Sequence, residues 1–234
     1  MKYLTHTIWI LSFISLLTDV ASEMLYPIMP IYLRSIGFSV LLIGILEGVA
    51  EATAGLSKGY FGKLSDYTGR RTPFIRLGYT LSAISKPMMA IMTYPFWIFI
   101  ARTVDRLGKG IRTGARDALL SDEALSDNKG RVFGFHRSMD TLGAVAGPLL
   151  ALLYLYFYPN HYQTLFLIAF LPGLLAISLS FYLKDNATSS RINKASRPSF
   201  LFCVTGTAVR PATVNYWQDY WSLLYVTVLT YSCF

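Results

Sequence analysis

Of the chain's 234 residues, 53% are hydrophobic and only 15% are charged, with a mean hydropathy of +0.43. An ordinary soluble domain carries roughly 25% charged residues, so this composition excludes that class and points to a membrane protein. The net charge of +8 would suit a nucleic-acid binder, but the cations gather at the ends of apolar runs, which excludes that reading.

The N-terminus imitates a secretory signal, with Lys2, the apolar run Ile8–Leu17 and the small residues Ala21 and Ser22. Cleavage there would place Asp19 where a small neutral residue is required, and the apolar character resumes at Met24, so the segment is expected to stay. Six stretches then reach the about 20 mainly apolar residues that a spanning helix needs. They are Ile8–Leu33, Val40–Gly62, Pro73–Met92, Phe96–Leu119, Val132–Phe157 and Gln163–Leu183. Short connections make consecutive helices antiparallel neighbours. Lys63, Arg70, Arg71, Arg76, Lys129, Arg131 and Lys184 fall on one side and Arg34 alone on the other, which predicts that both ends of the unit are cytoplasmic. The expected organisation is an all-α membrane protein: a six-helix bundle over 1–184, a polar cytosolic linker over 185–215, and a partial seventh span or aberrant tail over 216–234. Cys203 and Cys233 both lie in that tail and indicate neither a disulfide nor a metal site.

Charges inside the spans are costly if they face lipid. At about 100° per residue, Ser12, Ser15, Asp19, Ser22, Glu23 and Tyr26 occupy an arc of roughly 100° on the first span. Arg102, Asp105, Arg106, Lys109, Arg112, Arg116 and Asp117 occupy roughly 140° on the fourth. Each helix therefore has one wet or protein-facing side. Asp19 and Arg106 both fall about 15–18 Å from a membrane edge, near the midplane. Two readings stay open for Asp19, Glu23, Arg102, Asp105, Arg106 and, on the fifth span, Asp140. They form either a structural ion-pair network or a polar cavity that meets a solute or a proton. Glu47 and Lys86 lie at similar depth and are expected to form a structural pair between adjacent helices.

The fifth span contains Gly143, Gly147 and Pro148, a spacing that exposes backbone for close helix approach and a proline that removes a helix hydrogen bond. "GKGIRTG" lacks the residues of a phosphate loop, and no nucleophile elbow is present. His6, His136 and His161 lie at different membrane levels. No enzyme, cofactor or metal site is expected.

Gly62, Asp66, Gly69, Arg70 and Arg71 fit G-x3-D-x2-G-R-[KR] between the second and third spans. This resembles the loop signature of the major facilitator superfamily. Arg106 and Gly110 resemble part of that family's fourth-helix motif, with Lys109 and Arg112 departing from it. Gly143-x3-Gly147-Pro148 resembles the first half of the fifth-helix motif of proton antiporters, whose second half is replaced by Leu150 and Ala151. "DVASEMLYPIMPIYL" and "DRLGKGIRTGARDALLSDE" resemble a bacterial branch.

The resemblance covers Met1 to about Asp185, one six-helix half, and implies a proton-coupled antiporter of a small solute in the bacterial inner membrane. It also implies that helices one and four line the central cavity. Asp66 would latch against a second six-helix half, with Arg70 and Arg71 as its charge partners and Asp117 and Asp122 as theirs; the alternative is that both arginines only anchor the loop to anionic lipid. A chain with one half is expected to join a separate second half, to dimerise, or to be a truncated fragment with no transport of its own.

Overall fold

The computed structural model describes residues 5–183 and is all-helical among them. The linker and tail expected over 185–234 lie outside the described residues. The helices are α1 (His6–Glu23), α2 (Met29–Ser35), α3 (Val40–Thr68), α4 (Thr72–Ile91), α5 (Pro95–Glu123), α6 (Lys129–Phe157) and α7 (Tyr162–Ser180). By length and apolarity alone, α3, α6 and α7 suffice to cross a membrane. The polar residues of α1, α4 and α5 lower their apolarity, and these are the helices that pack inward.

The first expected span is not one helix. It divides at Met24–Ile28, where Pro27 and Pro30 lack the N–H groups that would continue the ladder from Glu23 and Tyr26. Local bonds such as Ile28 N–H to Leu25 O (3.2 Å) tighten the turn instead. Two other helices outrun expectation. α3 continues six residues past Gly62, so Asp66 sits on its last turns, and α5 reaches Glu123. α3 ends where Gly69 adopts φ +65°, the left-handed conformation that closes a helix C-terminus without a Cβ penalty.

α5 packs between α3 and α4, α1 packs between α6 and α7, and α4 meets α7. Exchanging α1 with α5, α3 with α6 and α4 with α7 maps these contacts onto themselves. That is the pattern of two three-helix repeats. Arg76 at the start of α4 ties the repeats together, donating to the carbonyls of Ser180 (3.2 Å) and Leu183 (2.9 Å) at the end of α7.

Thr5 Oγ1 donates to Glu123 (3.3 Å), and Arg71 reaches Asp122 (3.1 Å), so the start of α1, the α3–α4 turn and the end of α5 share one end of the bundle. We call it the basic end. One apolar cluster, around Ile8, Leu11, Ile75, Tyr79, Leu119 and Val132, fills that end. A second, around Met29, Leu33, Leu46, Ile98 and Phe166, fills the opposite end. Charged side chains occupy the layer between them.

Candidate functional site

Glycines set the spacing of α5. A Cβ on Gly108 would stand 2.7 Å from Gly78 O of α4; one on Gly110 would stand 2.5 Å from Ala54 O, and one on Gly114 3.0 Å from Gly62 Cα, both on α3. Each glycine lowers helix propensity by about 1 kcal/mol relative to alanine. Their use here is to let α3 and α4 close on α5 while its long cations project from the remaining face. α6 approaches α1 in the same way: a Cβ on Gly143 would lie 2.7 Å from Leu16 O, and one on Gly147 2.8 Å from Val20 O. α6 runs through Pro148 without a break.

The polar stripes of α1 and α5 face each other. Arg112 Nη2 lies 3.7 Å from Asp19, Lys109 Nζ lies 3.8 Å from Glu23, and Arg116 donates to Ser15 Oγ at 2.7 Å. Between them is a chamber of about 270 Å³, closed on the α6 side by Arg137, Asp140 and Thr141. Arg116 Nη1 stands 3.6 Å from Asp140 Oδ2. Asp19, Glu23 and Asp140 therefore line one recess.

Arg102 and Asp105 are placed differently. Arg102 grips Glu47 through two bonds of 2.9 Å in a fork-to-fork pair. Asp105 is buried against α4, where Oδ1 accepts from Ser82 (2.7 Å) and Ser85 (3.2 Å) and meets Lys86 (3.4 Å). This corrects the expected Glu47–Lys86 pair: equal depth does not fix the azimuth, and α5 stands between α3 and α4, so each partner finds an α5 charge instead. Asp105 ties α5 to α4, because its short side chain at the α4 edge of the stripe stays in that interface. Arg112 shares this edge, stacks over Tyr79 (4.9 Å to the ring centre), and reaches Asp19 by its length. Arg106 meets the exposed Glu51 at 3.6 Å and lies over the Tyr26 ring at 5.4 Å.

At the basic end, Arg71 pairs with Asp66 and Asp122 and donates to Ser65 Oγ (3.2 Å). Partial burial disfavours the Arg71 charge, but the bonds and charges of Asp66 and Asp122 outweigh it and hold its pKa above the ordinary value. Arg70 is exposed. Asp117 is not engaged by the signature arginines; it takes Arg116 (3.1 Å) and meets Lys58 (4.0 Å), because the side chain from α5 is nearer than the turn.

Sequence reasoning missed His136, whose Nδ1 lies 3.1 Å from Ser12 Oγ, as well as Tyr79 and the roles of Gly78, Gly108 and Gly114. Three glycines within seven residues of a charged helix were a readable signal. His136 gave none.

Two three-helix repeats thus hold a half-open charged recess between two apolar clusters, the architecture of a helical membrane bundle. The family profile of the Major Facilitator Superfamily matches residues 11–234. An uncharacterised MFS-type transporter of Methanocaldococcus jannaschii is 33% identical over 189 residues, 81% of this chain and 47% of that protein. The staphyloferrin B transporter of Staphylococcus aureus is 30% identical over 61% of this chain and 34% of its own length. A crystal structure of a peptide transporter shares the fold, with TM-score 0.68 at 16% identity, covering 96% of this chain and 44% of that one. The chain belongs to the major facilitator superfamily. It spans less than half the length of each of these proteins.

Proposed function

We propose that this chain forms one half of an alternating-access carrier that exchanges protons for a small organic solute across a bacterial inner membrane, with its N-terminus in the cytoplasm. The second six-helix half lies in the same or another polypeptide and packs over the chamber. The observation that carries the reading is the contrast between two kinds of ion pair. Arg102–Glu47 and the donors on Asp105 sit at hydrogen-bond distance and are saturated, as structural pairs are. Asp19–Arg112 and Glu23–Lys109 face the chamber at 3.7 and 3.8 Å, beyond a hydrogen bond, so a proton or a solute charge displaces either partner at small cost.

In this mechanism protonation of Asp19 or Glu23 frees the opposing cation for an anionic group of the solute, and loss of the proton expels that group. Arg106, loosely paired and stacked on Tyr26, is a second anion contact. Asp66 keeps its carboxylate half-exposed while holding Arg71, so it remains open to a helix N-terminus of the second half when the opposite face of the carrier opens. The name of the staphyloferrin B transporter supports a small organic solute as cargo, and the Gly143-Gly147-Pro148 segment supports antiport.

The test is reconstitution into vesicles with an entrapped pH-sensitive dye, challenged with a panel of small organic anions and cations. Solute-evoked proton movement that disappears in Asp19→Asn supports the carrier. Unchanged movement in that variant removes the proton role of Asp19. No movement with any solute, from the chain alone or with a second half added, favours a bundle without transport.

A further inference from the structure

His136 has no part in the chemistry above, yet it is buried against Asp140, which lines the chamber. Its Nε2 and Asp140 Oδ1 face one another at 3.6 Å, both shut off from solvent, and neither has a hydrogen-bond partner among the described residues. A buried polar atom left unsatisfied carries its full desolvation penalty. Two such atoms side by side, one a nitrogen lone pair and one a carboxylate oxygen, are both satisfied by a single hydrogen between them. Ser12 Oγ lies 3.1 Å from the other ring nitrogen, and a hydroxyl can donate or accept there. The ring is therefore held in place in either tautomer, which a group that takes up and passes on a proton requires.

The position of the pair is informative. Arg116, Arg137 and Asp140 line both the chamber and a second recess of about 220 Å³, which is bounded further by Asp117, Phe133 and His136 and lies nearer the basic end. The pair thus stands in the wall between two cavities. The charged groups facing it are Asp19 on α1, Arg116 and Asp117 on α5, and Arg137 on α6 itself.

We propose that His136 and Asp140 form a proton port, in which one proton held between Nε2 and Oδ1 passes between the recess at the basic end and the chamber that holds Asp19. The inference rests on the proton-coupled reading above. Inward to the chamber, an opening of the recess wall lets a hydronium reach the Nε2 lone pair and give up its proton, forming an N–H bond and leaving water. That proton moves to Oδ1 as the N–H bond breaks, restoring the neutral imidazole. Asp140, whose Oδ2 stands 3.6 Å from Arg116, then gives the proton up to the Asp19 carboxylate across the chamber both line. The reverse sequence returns it.

The test is a nitrogen-15 histidine spectrum of the chain in lipid nanodiscs, titrated from about pH 4 to 9 around the ordinary imidazole range. His136→Gln assigns the resonance against His6 and His161. The His136 signal is expected to titrate, and Asp140→Asn to lower its proton affinity by about tenfold or more, leaving the other two histidines unmoved. A His136 that does not titrate, or whose midpoint is the same in Asp140→Asn, overturns the port. If that variant fails to fold, Asp140→Glu keeps the carboxylate and must displace the Nε2 chemical shift; an unchanged shift overturns the port equally. Dye-filled vesicles separate the two readings. A titrating His136 in a chain that moves no protons keeps the proton site and ends the carrier reading, whereas a silent His136 in a chain that moves protons ends the port alone.

Discussion

Replacing Gly147 by alanine tests the seam between α1 and α6. The added Cβ would stand 2.8 Å from both Met24 N and Val20 O and 3.1 Å from Glu23 C, all backbone atoms that cannot swing aside. Ordinary van der Waals contact begins at 3.4 Å, so the seam must open by about 0.6 Å, a strain in the range of about 1–3 kcal/mol for overpacking. Alanine's better helix propensity returns about 1 kcal/mol. Gly134→Ala on the same helix isolates that second effect, because nothing lies within 4 Å of its Cβ. The propensity gain cancels in the comparison, so Gly147→Ala should be less stable than Gly134→Ala by about 1–3 kcal/mol, roughly a 5- to 150-fold difference in the unfolding equilibrium. Denaturant unfolding in mixed micelles, followed by far-ultraviolet circular dichroism, reads the difference. Equal midpoints in the two variants would refute the close approach of α1 and α6, and with it the placement of the Asp19 stripe.

Two further outcomes follow from the charge layout and the α3 terminus. Arg102→Met leaves Glu47 without its fork and should destabilise the bundle by about 3–5 kcal/mol, with much of the loss recovered in Arg102→Met/Glu47→Met; a double variant no better than the single would show that Arg102 acts instead through Asp105, whose Oδ2 lies 3.7 Å from Arg102 Nη1. Gly69→Ala forces an alanine into φ +65° and should cost about 1 kcal/mol, while Gly69→Asn, which tolerates that conformation, should cost less; equal costs in the same unfolding assay would mean that the left-handed turn is not retained in solution.

The membrane class and the two wet stripes were legible in the sequence because each depends on period and composition. The expectation that consecutive helices are neighbours fails for α3 with α4 and for α6 with α7, since α5 stands between the first pair and α1 between the second. The 3.6-residue repeat gathers Asp19 with Glu23 and Arg112 with Arg116 on single faces whatever the helices pack against. The Gly62–Arg71 signature and the Gly143–Gly147 spacing were equally local, and each now has a geometric use in a left-handed cap or a close helix contact. Pro27 and Pro30 were visible too, but a span long enough to cross a membrane concealed the break they make. Pairing across helices was not legible. Depth along the membrane follows from counting residues, whereas azimuth around the bundle depends on which helices become neighbours. Lys86 therefore met Asp105 rather than Glu47, and Asp117 turned to Arg116 and Lys58 rather than to the signature arginines. His136 is the clearest case: a lone histidine eight residues into α6 means nothing until α1 brings Ser12 to one ring nitrogen and its own helix turn brings Asp140 to the other. The sequence determined which faces are polar; only the tertiary structure decided which charges are saturated and which stand loose around a chamber, because hydrogen-bond distances between helices are set by packing and not by period.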